Sequence, residues 1–306
     1  MIVLKPRALA NEMKILRSLQ RKMSLLQQDG KRHMHLEKGW QGEQRFDQLL
    51  MERLQNVGYL LHDLCLEQNH SVFQIDTLLI SEKGILLFEI KNYEGDYVYG
   101  AENFRILPSD QEILNPLHQL NRSITLFRSL LSKLKIQLPV KGYIAFVNPQ
   151  FTLYEAPVNA PIILPSQLHR FLERINQNPS LLSRQHRELA DHLLEMHLPI
   201  SPYARMPDYH FQHLGKGILC NTCHSFMIKT GRKIVCNKCG YDESVENSIM
   251  RSIEELTLLF PDQRITTSII QQWCRIIDSR KTIRRVLVQN FQPVGSKKQR
   301  HYVIRT

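Results

Sequence analysis

The sequence predicts a mixed α/β protein: a sheet flanked by helices in its larger part, then a small four-cysteine module and a mainly helical, basic C-terminal domain. Three observations lead there. Strand-like and helix-like runs follow one another from residue 36 to residue 198. Two C-x-x-C pairs, Cys220/Cys223 and Cys236/Cys239, stand twelve residues apart. From Ser248 onward, helical spacing combines with clustered arginine and lysine. With 42% hydrophobic residues among 306, there is apolar material for more than one packed core.

In chain order, Leu9, Met13, Leu16, Leu19, Met23 and Leu26 recur at helical spacing and predict a first helix, ended by Gly30, that packs on the domain behind it. A second helix begins near Trp40 and runs through Glu43, Phe46, Leu50 and Leu54 to Gly58. Residues 59–64, 72–80 and 85–93 read as strands, the last two joined by the turn Ser81-Glu82-Lys83-Gly84. Residues 97–99 extend that sheet. Asn115-Pro116 opens a helix through Leu117, Leu120, Ile124, Phe127 and Leu131. Residues 140–147 and 162–164 are further strands, helices continue to about Leu198, and the proline-rich stretch 199–207 is a linker. The expected divisions are a helical lead-in (1–35), an α/β domain (36–198), a linker (199–214), the cysteine module (215–243) and the C-terminal domain (244–306).

Lysine and arginine outnumber aspartate and glutamate by 40 to 29, a formal charge of +11. Such a surplus attracts polyanions, so nucleic acid is the expected partner, against the alternative of a generic basic surface. No run approaches the roughly 20 apolar residues of a membrane span, and Lys5, Pro6 and Arg7 interrupt the apolar start. Of six cysteines, four have metal-ligand spacing, while Cys65 and Cys274 stand alone in apolar sequence. That usage fits a reducing compartment, and a cytoplasmic location is expected, with no membrane partner.

The chemistry concentrates in Ile75-Asp76-Thr77 and Phe88-Glu89-Ile90-Lys91. Strand alternation puts Glu89 and Lys91 on the face of Ile85 and Leu87, so a strand apolar on both sides ends in an acid and a base. Asp76 opens the preceding strand, and an antiparallel hairpin sets it beside the end of the next. Two carboxylates suit Mg²⁺ (or Mn²⁺), which keeps positions for water and phosphate oxygens. The ion polarises a phosphodiester and acidifies a bound water, and Lys91 can stabilise the charge that develops. Glu43, on the earlier helix, offers a further ligand or a base. The same short pattern also fits a plain surface ion pair of Asp76 or Glu89 with Lys91.

Gly39-Trp40-Gln41-Gly42-Glu43, then Gln74-Ile75-Asp76-Thr77, then Phe88-Glu89-Ile90-Lys91-Asn92-Tyr93-Glu94-Gly95, in that order, resemble the nuclease-related domain (NERD) family of the PD-(D/E)XK nuclease-like superfamily. Asn115-Pro116 with Gln119 resembles the family's downstream motif, and the resemblance covers residues 36–198. It implies a restriction-endonuclease-like core with Asp76, Glu89 and Lys91 as the catalytic centre and Glu43 and Gln119 assisting. The superfamily's proline before the aspartate is Ile75 here.

Two C-x-x-C knuckles close a tetrahedral site suited to structural Zn²⁺, and residues 227–235 between them read as a hairpin turning at Gly231; together they resemble a zinc ribbon. His224 competes as a ligand or faces solvent. Lys229, Arg232, Lys233 and Lys238 touch phosphates or only keep the module soluble. Beyond it, residues 249–260, 266–277 and 280–288, the last capped by Ser279, read as three helices. A hairpin around Gly295 follows, and the whole resembles a winged helix-turn-helix. Arg280, Lys281, Arg284 and Arg285 on the third helix, with Lys297, Lys298 and Arg300 on the wing, are the expected nucleic-acid contacts, through a helix in the major groove and a wing on the backbone. The combined reading is a metal-dependent nuclease acting on DNA in processing, repair or defence. The alternatives are a DNA-binding or regulatory protein that uses the nuclease-like fold only to dock, and an RNA-directed protein.

Overall fold

A computed structural model describes residues 1–55, 57–177, 181–199, 204–296 and 299–305. The chain divides into two compact units, Met1–Leu9 with Met34–Ala204, and Ala10–His33 with Arg205–Thr306.

In chain order, the elements through the first unit are β1 (Ile2–Lys5), α1 (Asn11–Lys22), which belongs to the second unit, and α2 (Gln27–Arg53), which enters the first at Met34. Then come β2 (Tyr59–Gln68), β3 (Ser71–Ser81), β4 (Gly84–Lys91), β5 (Gly95–Val98), β6 (Asn103–Leu107), β7 (Gln111–Leu114) and α3 (Pro116–Lys133). After these lie β8 (Val140–Phe146), β9 (Phe151–Tyr154), β10 (Ile162–Ile163), α4 (Leu168–Asn176) and α5 (Arg184–Glu195).

Six strands form a mixed sheet in the order β1-β2-β3-β4-β8-β10. β2, β3 and β4 pair antiparallel, whereas β1, β8 and β10 join parallel. Helices cover both faces. Leu61, Leu78 and Leu87 pack with Phe127 and Leu130 of α3 and Leu189 and Leu193 of α5 on one side. Leu79, Phe88 and Ala145 pack with Phe46 and Leu50 of α2 and Leu168 and Leu172 of α4 on the other. The expected mixed α/β class, a mixed sheet flanked by helices, is the architecture observed.

Two local expectations need correction. Gly30 does not end a helix: α2 runs through Gly30, Gly39 and Gly42. At Gly30 and Gly39 a side chain would meet nothing within 4 Å, so these glycines cost helix propensity, about 1 kcal/mol each, without blocking the helix. Gly42 differs, because a Cβ there would lie 2.5 Å from Cβ of Asn92. Its bare backbone lets α2 approach the end of β4. The run after Lys91 does not extend the large sheet either: β4 is already paired on both sides, by β3 and β8. β5 therefore joins a second sheet, β7-β6-β5-β9, packed through Tyr97, Phe104 and Phe151 against Leu120 and Phe146.

The second unit adds β11 (Ile228–Thr230), β12 (Lys233–Val235), β13 (Asp242–Ser244), α6 (Val245–Leu259), α7 (Thr267–Cys274), α8 (Arg280–Asn290), β14 (Phe291–Val294) and β15 (His301–Ile304). Ser244, Thr266 and Ser279 cap α6, α7 and α8 by accepting from the N–H groups of Asn247, Ile269 and Thr282. One core joins the pieces, with Cys220, Ile234 and Cys236 beside Ile253, Trp273 and Val286. Ile15 and Leu19 of α1 lie in this same core, not on the α/β domain as expected. Helical periodicity reveals that a face is buried but not what buries it. Lys22 secures the helix: its ammonium donates to the carbonyl of Gly217 at 3.1 Å and lies 3.3 Å from the Glu255 carboxylate. No helix among the described residues is long and apolar enough to cross a membrane.

Candidate functional site

The register that pairs Thr77 with Phe88 brings Asp76 of β3 and Glu89 of β4 together where the paired segment ends. Asp76 is 8% exposed, and its Oδ2 accepts the Ile90 N–H at 2.8 Å, so its side chain takes over where the backbone ladder stops. Glu89 is 3% exposed. Lys91 donates from Nζ to Glu89 Oε1 at 2.7 Å and to Gln119 Oε1, on the first turns of α3, at 3.1 Å. Asn115 caps that helix and fixes its start, with Pro116 in the first position. The ion pair of Glu89 with Lys91 is thus real, but it is buried and lies at the end of the core rather than on an open surface.

Glu43 comes from α2, at the close approach that Gly42 permits, and it acts electrostatically on Asp76. What gathers this side of the site is a residue that sequence reasoning passed over. Arg7, 3% exposed in its side chain, donates to Glu43 Oε2 at 2.9 Å, Asp47 Oδ2 at 2.7 Å and Asp63 Oδ1 at 2.5 Å. It also reaches the Asp76 carbonyl at 2.9 Å and the Thr77 hydroxyl at 3.0 Å. Five N–H donors in a rigid fork suit this role. Asp63, on β2 between the residues that pair with Thr77 and Ile75 of β3, holds φ of 51°, a left-handed conformation uncommon inside a strand. Lys5 donates to the carbonyls of His62 and Asp63 at 2.8 and 3.1 Å. Asp47 and Asp63 were missed along with Arg7. The signal for Asp63 was a His-Asp pair inside the apolar run Leu60-Leu61-His62-Asp63-Leu64; Arg7 carried none.

Burial, reinforced by Asp76, pushes the carboxyls of Glu43 and Glu89 up to about 8, and burial pushes Asp63 up to about 6. Burial disfavours the charge on Lys91, but Glu89 and Asp76 outweigh it and raise the ammonium to about 12. Burial drives His62 down to about 4, which leaves it neutral. Five carboxyl groups (Glu43, Asp47, Asp63, Asp76 and Glu89) face the three cations Lys5, Arg7 and Lys91. With Glu43 and Glu89 pushed up to about 8, both hold their protons at neutral pH, and a divalent cation bound here would displace them. Hard carboxylate oxygens are the donors that Mg²⁺ or Mn²⁺ takes.

The four cysteines are a second, separate centre. Cys220, Cys223, Cys236 and Cys239 bring their sulfurs within 4.8 Å of one another, the one such group of three or more metal-type ligands among the described residues. Cys220 and Cys239 are 3.5 Å apart and Cys223 and Cys236 3.3 Å. A tetrahedron with Zn–S of about 2.3 Å requires sulfurs roughly 3.8 Å apart, so the set fits a zinc ribbon. Gly231, with φ of 60°, makes the turn between β11 and β12. His224 stands outside the cluster, with Nδ1 3.2 Å from the Cys220 carbonyl and Nε2 2.9 Å from Arg21. Lys233 pairs with Asp242 at 2.7 Å, while Lys229, Arg232 and Lys238 are exposed.

In the C-terminal part, Arg280, Lys281, Arg284 and Arg285 are all exposed on α8. Arg280 and Arg284 share a pocket with Arg300, whereas Lys281 and Arg285 do not line it. Lys297 and Lys298 lie outside the described residues.

The sequence profile of the nuclease-related domain matches residues 38–147, the stretch that holds Glu43, Asp76, Glu89, Lys91 and Gln119. An uncharacterized protein of Bacillus anthracis is 29% identical over 136 residues, covering 42% of this chain and 62% of that protein. The chain thus spans less than two thirds of that relative. No solved structure matches the chain. Over residues 38–147 the chain is similar to the nuclease-related domain family.

Proposed function

We propose that the protein is a metal-dependent nuclease that hydrolyses DNA phosphodiester bonds in the first unit and holds the polynucleotide with the second. The observation that carries this reading is the convergence of Asp76, Glu89 and Lys91 at one strand end, inside a cluster of five carboxyl groups. Asp76 and Glu89 would hold a Mg²⁺ or Mn²⁺ ion, which when bound supplies a polarised phosphate and an acidified water. Lys91, steadied by Glu89 and Gln119, presents its ammonium to the phosphate and to the negative charge that grows on it. Glu43 faces Asp76 and is available as a further ligand or as acceptor of a proton from water. The cysteine cluster would hold structural Zn²⁺, since four thiolates leave no open position for catalysis. Arg280, Lys281, Arg284, Arg285 and Arg300, on a winged-helix-like arrangement of three helices and a hairpin, would contact the phosphate backbone.

The test is cleavage of plasmid, single-stranded DNA and RNA with Mg²⁺ or Mn²⁺. Wild-type protein is expected to cut DNA in preference to RNA. Asp76→Ala, Glu89→Ala and Lys91→Ala should each lower the rate by at least about 100-fold while DNA is still bound, as expected when preorganised electrostatic groups are lost. Undiminished cleavage by Asp76→Ala or Lys91→Ala excludes this centre. DNA binding by the wild type without cleavage under any metal makes the domain a docking module instead.

A further inference from the structure

The second unit contains a pocket of about 510 Å³, open to solvent, lined by Thr266, Thr267 and Ser268 at the start of α7, by Arg280 and Arg284 one turn apart on α8, and by Arg300 and Tyr302 at β15. Three separate segments build it, and a backbone bond ties two of them: the Tyr302 N–H donates to the Ile265 carbonyl at 2.9 Å, setting β15 beside the N-cap of α7. Thr266 spends its hydroxyl on the Ile269 N–H, so the N–H groups of Thr267 and Ser268 remain for an external acceptor. Among the lining residues three are arginines and none is acidic.

A second observation points to a missing ligand. Tyr302 is 3% exposed, yet among the described residues its hydroxyl has no hydrogen-bond partner, and the Nε of Arg300 is likewise buried and unpartnered among them. Two orphaned donors lining one pocket are costly in a folded protein, and such groups call for an explanation. An anion that moves aside the side chains covering these two atoms would supply acceptors to both.

We infer that this pocket is a seat for one phosphate group of a nucleic-acid backbone, held by Arg280, Arg284 and Arg300, the start of α7 and the Tyr302 hydroxyl. It deepens the basic-surface reading: instead of a diffuse positive face, one defined seat fixes the register of the second unit on the polynucleotide. The inference rests on the proposed function for its choice of nucleic acid, while the phosphate chemistry stands on the pocket alone. A free phosphate offers the same oxygens, and the experiment separates the two sources.

The test uses full-length, zinc-loaded protein and a fluorescein-labelled DNA duplex, with anisotropy followed over a salt series and melting temperature measured on the free protein. Binding is read apart from cleavage, so a dead nuclease centre does not affect the outcome. Tyr302→Phe should weaken DNA binding about fivefold with an unchanged salt slope, because it removes a hydroxyl and no charge. The free protein should melt at the same or a higher temperature, since that hydroxyl has no partner to lose. Arg284→Gln should weaken binding about tenfold and lower the salt slope by about 0.9, more than Arg285→Gln, which does not line the pocket. Wild-type binding by Tyr302→Phe, or equal losses for Arg284→Gln and Arg285→Gln, overturns the seat. If inorganic phosphate raises the melting temperature of the wild type but not of Tyr302→Phe, while DNA binding is the same in both, the pocket takes free phosphate and the assignment to a nucleic-acid backbone is wrong.

Discussion

Cys236→Ser should unfold the second unit. Cys236 and Cys220 are metal-type ligands and also members of the core that holds Trp273, so loss of the ion and loss of packing occur together. The strands around the cluster, Ile228–Thr230, Lys233–Val235 and Asp242–Ser244, have three residues each and contribute chiefly Ile234 and Glu243 to the buried interior. So small a sheet cannot stand alone, and a structural zinc supplies on the order of 10 kcal/mol of folding free energy. That is comparable to the whole stability of a typical domain. Chelation of the wild type should have the same effect as the substitution. Expected readouts are zinc content falling from one per chain to none, loss of near-ultraviolet circular dichroism, and a red shift in tryptophan emission as Trp273 meets water. A metal-free protein that keeps its native spectrum would show that the cysteines need no ion.

Arg7→Met should destabilise the first unit by roughly 3–5 kcal/mol, the cost of removing one partner from a buried ion pair. The guanidinium bridges Glu43, Asp47 and Asp63, and without it these half-buried carboxylates repel one another and Asp76. For a unit of this size the melting temperature should fall by roughly 10 °C. Arg7→Lys should recover only part of the loss, because one ammonium cannot serve acids that Arg7 meets through Nε and Nη1 at once. The decisive comparison is thermal unfolding of wild type, Arg7→Lys and Arg7→Met. Equal melting temperatures would mean that Arg7 does not organise the carboxylates.

The apolar runs within 72–80 and 85–91, joined by a turn ending in glycine, made the β3–β4 hairpin legible, and with it the adjacency of Asp76, Glu89 and Lys91. Cysteine spacing made the four-sulfur cluster legible for a similar reason: both signals are local in sequence. Arg7 was not legible, because it meets Asp63 and Thr77 only once β1 has paired with β2, a contact spanning more than fifty positions. The placement of α1 failed in the same way. Its periodic face was plain, but Glu255 and Gly217, which hold Lys22, lie far along the chain. Gly30 misled because glycine lowers helix propensity without forbidding a helix that is held by its flanking turns.

The most direct test of the central claim is Mn²⁺ binding to zinc-loaded protein, measured by calorimetry or by the loss of free-ion resonance. One Mn²⁺ per chain is predicted for the wild type, with binding abolished by Asp76→Asn and by Glu89→Gln while zinc content stays the same. Absence of Mn²⁺ binding in the wild type, or unchanged binding in both variants, would contradict a divalent-ion site at the end of β3 and β4.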